Sequence, residues 1–391
     1  MSTPNIPEAT LVQPLTVVIP ARNQADALRR HLPAVLSQDY DLYDVIVVDM
    51  ASADETLVLL EAMEMEYDHL RHLQTPPSAR DISLERLALT LGIRAAQSEW
   101  VVITQADCEP ASSHWLTTVS KSIRAHADAE IVMGYSRYDR PSPSWTGLKM
   151  GFHRLWHQQA NYSHILTGHA AVRGDGCNVA VRKSCFMRHD GFAAHQNLKT
   201  GAADLMVNHY STPTNTQLCT APRAVVVQDL PTRSQWWQQQ VFYVETRRYQ
   251  RNTFLYRSRF NLSLAWPWVS FLFIGLPVVA GILGLSLSIR RADVAYLHPL
   301  ALLTRNASAP VVPPSAWDIV VFSLLLLTLL ATLVFIATLR IRQFNQLART
   351  VGTPTYRLTY ILFELCMPFW AMRAWLRHRF TKRNTFRKEF V

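Results

Sequence analysis

The sequence predicts an α/β domain with a mostly parallel sheet covered by helices, followed by C-terminal transmembrane helices. Three observations carry this prediction. Short β-branched apolar runs alternate with amphipathic stretches through the first hundred residues, the pattern of a parallel sheet with helices on both faces. Two of those runs end in acidic loops, at Asp49 and at Asp107, and the carboxyl edge of an open α/β sheet is where ligands bind. Apolar tracts at 262–289 and 317–339 exceed the roughly 20 residues that a bilayer span needs.

Composition agrees. A hydrophobic content of 49% with only 17% charge indicates a soluble part joined to a greasy part. The net charge of +10 concentrates in 247–259 and 340–388, beside the apolar tracts. Basic flanks in that position point to anionic membrane lipid and away from nucleic acid. The five cysteines (108, 177, 185, 219 and 366) are odd in number and lack paired metal spacing, which fits a reduced compartment and argues against a zinc site. Residues 1–13 form an extension without the basic and apolar regions of a signal peptide.

Taken in order, Leu15 to Pro20 reads as a first buried strand, with Ala21-Arg22-Asn23 as the loop at its end. Asp26 is placed to cap the next helix, whose inner stripe is Leu28, Leu32, Val35 and Leu36. Asp44 to Asp49 is a second strand, Thr56 to Tyr67 a helix, and Arg71 to Gln74 a brief third strand. Leu84 to Ala96 reads as a helix with Leu87, Leu91 and Ala95 inward. The buried run Trp100 to Thr104 then breaks at Gln105-Ala106-Asp107-Cys108-Glu109-Pro110, where Pro110 stops the ladder and Ser112 or Ser113 caps a helix. The segment 135–172 is rich in aromatics and histidine; it reads as an amphipathic helix on the membrane or along an acceptor groove. His153 and His157 share a face there as packing rather than as metal ligands.

These runs carry a resemblance. Val-Val-Ile-Pro-Ala-Arg-Asn at 17–23, Val-Val-Asp-x-x-Ser-x-Asp-x-Thr at 47–56 and Ala-Asp-Cys-Glu-Pro at 106–110 resemble glycosyltransferase family 2. The likeness continues through 87–96, through Gly174-Asp175-Gly176-Cys177-Asn178-Val179-Ala180-Val181-Arg182-Lys183, and through His189-Asp190-Gly191-Phe192. It spans roughly 14–250. The resemblance implies the GT-A fold, a nucleotide-sugar donor, and commonly Mg or Mn. It also implies donor-side roles for Pro20, Arg22, Asn23, Asp49, Arg86, Gln105, Asp107 and Arg248, with Asp107 as the metal contact. Gly176, Asn178, Trp236, Trp237 and Gln239 fall on the acceptor side.

The departures are specific. Met50 stands where the family has a second acid, and Gln105 where it has the first Asp of Asp-x-Asp. Ala202 stands where the family has its catalytic base, which leaves Asp204 as the remaining acid for that role or as a helix cap. Phe242 replaces the Arg of Gln-x-x-Arg-Trp, with Arg248-Tyr249 as a substitute that could equally meet lipid headgroups.

Beyond the 14–250 domain, 251–261 is a basic juxtamembrane segment, 262–289 and 317–339 are two spans, and 290–316 is an outer loop. The basic region 340–391 includes an interfacial or re-entrant helix at 356–376, which carries Glu364, Pro368 and Arg373. The positive-inside rule puts the large domain and the C-terminus on the cytoplasmic side of the inner membrane. Two readings follow. One is an inverting glycosyltransferase acting on a lipid-linked or polysaccharide acceptor. The other is a degenerate copy that serves as a binding or scaffold subunit beside a partner.

Overall fold

The computed structural model describes residues 12–76, 83–139, 144–196, 198–251, 316–382 and 385–386, with scattered helical residues between 254 and 284. The central sheet has seven strands. β1 (Leu15–Ala21) pairs in parallel with β2 (Tyr43–Asp49) and with β4 (Trp100–Ile103), and β2 pairs in parallel with β3 (Leu70–Gln74). β8 (Val179–Arg182) enters reversed against β4, and β6 (Ile131–Gly134) pairs antiparallel to β8. β9 (Thr216–Cys219) closes the order β3-β2-β1-β4-β8-β6-β9. Every residue of β1 and β4 is buried, as continuous apolar runs in a two-sided sheet must be.

A second, three-stranded sheet joins β5 (Cys108–Pro110), β10 (Val226–Gln228) and β7 (Ser136–Tyr138) in the order β5-β10-β7. Pro110 therefore ends a short strand rather than preventing one; it sits at the last paired position, opposite Val226.

The helices follow the expected alternation with three corrections. α1 (Ala25–Leu36) buries Leu28, Leu32, Val35 and Leu36, but Asp26 lies inside its first turn and does not cap it. The cap is non-local: the Asp54 carboxylate accepts from the Ala25 N–H at 3.2 Å, and the Gln24 N–H donates to Thr56 Oγ1 at 3.1 Å. α2 (Thr56–Glu66) packs beside it. α3 (Leu84–Ala95) turns Arg86, Ala88, Leu89, Gly92 and Ile93 inward, while Leu87, Leu91 and Ala95 are only half-buried. Gly92 decides the face: a Cβ there would lie 2.5 Å from Val18 Cγ1, so only glycine lets this helix approach β1. α4 (Trp115–Arg124) starts after His114 with no side-chain cap; Ser112 Oγ accepts the His114 N–H instead.

α5 (Trp145–Leu166) is capped by Ser144 and buries Phe152, His153, Leu155, Trp156 and Tyr162. Its His153 and His157 rings lie 4.3 Å apart, with Nε2 atoms at 3.2 Å. Burial pushes His153 down to about 3 and His157 well below its usual value, and neighbouring cations push the same way. Such a pair binds protons in the unfolded chain but not in the folded one below about pH 6.5, so stability is full above that pH and falls as pH drops. Melting temperature should therefore fall between pH 7 and 5.5. A His153→Gln, His157→Gln double variant should show a shallower fall.

After α6 (Lys183–Arg188) and α7 (Ala202–Tyr210), α8 (Arg233–Thr246) opens with a Thr232–Gln235 capping box. α9 (Ala316–Val351) runs past Leu339, because no glycine or proline interrupts 340–351. α10 (Leu358–Phe380) contains Pro368. The expected span at 262–289 lies mostly outside the described residues, and those described there are helical.

The chain divides into two compact units. The larger holds everything up to Arg259, with Leu347–Thr355 and the residues from Phe369 onward. The C-terminal piece belongs to it because Arg373 and Arg377 lie over the Trp237 ring at 4.7 and 5.1 Å, and His378 Nε2 meets Glu245 at 2.7 Å. The smaller unit comprises Phe260–Gln346 and Tyr356–Pro368. Within it Glu364 pairs with Arg340 at 2.5 Å and accepts from Tyr360 at 3.1 Å, which is how an acid is accommodated in that apolar helix.

Candidate active site

Parallel strands deliver their ends to one edge of the sheet. Ala21 lies opposite Asp49 in the register, and β4 runs out beside them toward Gln105 and Asp107. β8 is reversed, so the stretch entering it, Gly174 to Asn178, arrives at the same edge. An open cleft of about 460 Å³ lies here, lined among others by Asp107, Tyr138, Gln228, Asp229, Gln239 and Phe242.

Two loops form its rim. The Asn23 N–H donates to Ser52 Oγ (2.8 Å), and Asn23 Oδ1 accepts from the Ala53 N–H (2.7 Å). Asn23 adopts φ +52°, a left-handed turn that asparagine tolerates better than most residues. Asp49 is 1% exposed and accepts the Ser52 N–H through both carboxylate oxygens. Pro20 is buried within β1, whereas Arg22 is exposed.

At the centre is a polar network. The Gln228 amide nitrogen donates to Asp107 Oδ2 (3.0 Å) and Oδ1 (3.2 Å) and to Gln105 Oε1 (3.0 Å). Gln228 Oε1 accepts from Arg154 at 2.6 Å, and Arg154 grips both oxygens of Asp175 at 3.1–3.2 Å. Asp175 further accepts from Gln158 (2.8 Å), from the Ser136 hydroxyl and from the Cys177 N–H (3.2 Å). Burial raises the Asp107 carboxyl, against the Gln228 hydrogen bonds. Burial would raise Asp175 too, but Arg154, Ser136 and the Cys177 N–H outweigh it and hold the acid below the usual carboxylate range. Gly176 leaves the room this needs: a Cβ would stand 3.2 Å from Gln105 Nε2.

Arg154, Asp175 and Gln228 escape a reading of the sequence alone, although signals exist. Arg154 and Lys149 are the charged residues of an otherwise aromatic, neutral helix, Asp175 stands between two glycines, and Gln228-Asp229 ends a valine run as Asp107 ends the Trp100 run.

Several expected site residues sit elsewhere. Asp204 is 4% exposed on α7; Thr246 Oγ1 donates to it at 2.9 Å and Arg173 lies 3.7 Å away. It neither caps the helix, which begins at Ala202 after Gly201, nor faces the open cleft. Arg86 is buried and donates to the carbonyls of Leu198 and Thr200, fixing a loop. Asn178 is buried and ties Tyr135, Ala224 and Trp115 together. Trp236 and Trp237 are 1–2% exposed and enclose the Lys149 ammonium at 4.7 and 4.9 Å, so neither offers a free face for a sugar. Arg248 is exposed and pairs with Glu245 at 3.5 Å. Gln239, half-buried, accepts from Tyr138 Oη at 3.3 Å at the cleft wall.

A cation at Asp107 would have one carboxylate and the Gln105 carbonyl as side-chain ligands, and the Gln228 amide nitrogen stands among those same oxygens. The other acid of the cleft, Asp229, is turned to Arg30 (2.8 Å) and His31 (3.1 Å). No group of three His, Cys, Asp or Glu side chains gathers among the described residues. As arranged, the donor set does not fit Mg or Mn because the Gln228 amide nitrogen already fills the place beside these oxygens that an ion would take.

Residues 16–186 match the family model described as Glycosyl transferase family 2. The succinoglycan biosynthesis protein ExoO of Rhizobium meliloti (strain 1021) is 32% identical over 108 residues, 26% of this chain and 28% of that protein. The chain thus spans less than a third of the length of that curated relative. Among solved structures, the mannosyltransferase PcManGT from Pyrobaculum calidifontis, in complex with GDP-Man and Mn2+, aligns with a TM-score of 0.50 and 18% identity. That alignment covers 96% of this chain and 89% of the other. S. aureus TarS 1–349 in complex with UDP-GlcNAc aligns at a TM-score of 0.38 and 17% identity, over 53% of this chain and 56% of that one.

Proposed function

We propose that this chain, whose residues 16–186 match the family 2 glycosyltransferases, moves a sugar from a nucleotide-sugar donor to a polysaccharide or lipid-linked acceptor. The observation that carries the reading is the convergence at one edge of the rim loops around Asn23 and Ser52, Asp107 beyond β4, and Gln228 after β10. The buried Asp49 end of β2 is the place for the nucleotide, and the exposed Arg22 is the charge for its diphosphate. The open cleft beyond Asp107, with the amide of Gln239 and the ring of Phe242, is the place for the acceptor.

The reaction in this reading is a single displacement with inversion: the acceptor oxygen bonds to the anomeric carbon as the bond to the nucleoside diphosphate breaks, and the acceptor proton leaves to water in the open cleft. Asp204 has no part in it as a base, since Thr246 and Arg173 hold its side chain inside the domain. The membrane assignment rests on α9, whose stretch Ser323–Val351 is long and apolar enough to cross a bilayer, and on α10. Leu358, Leu362, Phe369, Met372, Leu376 and Phe380 are exposed along one stripe of α10, which suits an interfacial helix on anionic lipid. A cytoplasmic catalytic face agrees with the basic residues at 340–388.

The test is calorimetric binding of GDP-mannose, UDP-GlcNAc and related donors to the detergent-purified chain. Arg22→Ala should weaken binding about tenfold, the effect of one lost charge-assisted contact. A panel of donors with none bound would remove the donor reading. Unchanged affinity in the variant would remove Arg22 from it.

A further inference from the structure

We infer that this chain holds its donor diphosphate without a divalent cation, the Gln228 amide standing in the cation's position. The inference rests on the donor reading above and goes beyond it. The position is defined by three oxygens, Gln105 Oε1 and both oxygens of Asp107, all within 3.0–3.2 Å of Gln228 Nε2. Mg or Mn binds such oxygens at about 2.1 Å, so the amide and an ion cannot share the space.

Gln228 is not free to yield it. Arginine carries donors only, so Arg154 at 2.6 Å forces the amide oxygen toward itself and the NH₂ group toward Asp107. Turning the amide over to offer its oxygen to a metal would set the NH₂ group against the guanidinium. Arg154 is itself fixed by both oxygens of Asp175 and by Cys177 Sγ at 3.2 Å. The chain Asp175–Arg154–Gln228–Asp107 thus runs from a buried ion pair to the cleft, and each link fixes the orientation of the next.

The sequence departs from the family at the matching place. Gln105 replaces the first acid of Asp-x-Asp and offers its carbonyl to the same amide. A carboxylate at 105 would bind a cation better, and a neutral carbonyl suits an amide donor. Asp229, the second acid of the cleft, is engaged by Arg30 and His31 and does not complete a metal site. The positive charge for the diphosphate then falls to side chains, with Arg22 exposed at the rim.

The experiment titrates GDP and UDP into the detergent-purified full chain by calorimetry, once with excess EDTA and once with Mn2+. The expected result is binding in both, with affinities equal within about twofold. Gln228→Ala should bind about tenfold more weakly in EDTA and recover with Mn2+, because the variant opens Asp107 to the ion. Wild-type binding that requires Mn2+ would overturn the inference and leave the donor reading standing. No binding in either buffer would overturn the donor reading and the inference with it. Should Gln228→Ala fail to fold, judged by its melting transition, the wild-type comparison decides alone.

Discussion

Arg154→Met is expected to lower unfolding free energy by about 3 kcal/mol or more, because removing one partner of a buried ion pair strands the other charge. The side chains of Arg154 and Asp175 are 11% and 21% exposed, so water offers Asp175 little compensation. Denaturant titration should show the loss as a lower midpoint with an unchanged slope. The same pair sets an acid limit. Asp175 titrates below its unfolded value, so its contribution is complete above about pH 4 and disappears as pH falls further. The wild type should therefore lose stability more steeply than Arg154→Met in that window. Nucleotide affinity should fall in the variant as well, since Gln228 would lose the donor that orients it.

Asn178→Ala is the second large effect, about 3 kcal/mol or more of stability. Its amide nitrogen donates to the carbonyls of Tyr135 (2.8 Å) and Ala224 (2.7 Å), and its oxygen accepts from Trp115 Nε1 (3.2 Å). Truncation leaves Trp115 Nε1 and the Ala224 carbonyl buried without this partner, at about 1–3 kcal/mol each before relaxation, while the Tyr135 carbonyl keeps the Val226 N–H at 3.1 Å. Gly134 shows how tightly the site is filled: a Cβ there would lie 2.3 Å from Asn178 Nδ2. Equilibrium unfolding would show this loss, whereas a residue whose role is acceptor binding would leave the unfolding midpoint in place and change only transfer kinetics.

What the sequence reveals depends on how local the physics is. The strands β1, β2 and β4 are legible because a strand buried on both faces must be apolar throughout. The loop at Asp107 is legible because the run before it stops so abruptly. The inward face of α3 is not, since Leu87 and Leu91 are as apolar as Leu89 and Ile93; the choice falls to Gly92 meeting Val18 across 15–21. Asp26 is a plausible local cap, yet the carboxylate that caps α1 is Asp54, which reaches it from the next loop. β10 is three residues long and pairs only in the second sheet, so its valines give no periodic signal. The family resemblance implies site roles for Asn178 and Arg86, but both are buried and hydrogen-bonded within the domain.

The hydrogen bonds that join Asn23 to Ser52 and Ala53, and Ala25 to Asp54, have a thermodynamic consequence. Loops that are already tied to each other surrender little conformational freedom when a ligand arrives, so the ordering penalty that often erodes affinity at loop-built sites is small here. The amides of Ala25 and Ala53 should accordingly exchange slowly with deuterated solvent in the ligand-free protein, and gain little further protection when nucleotide binds.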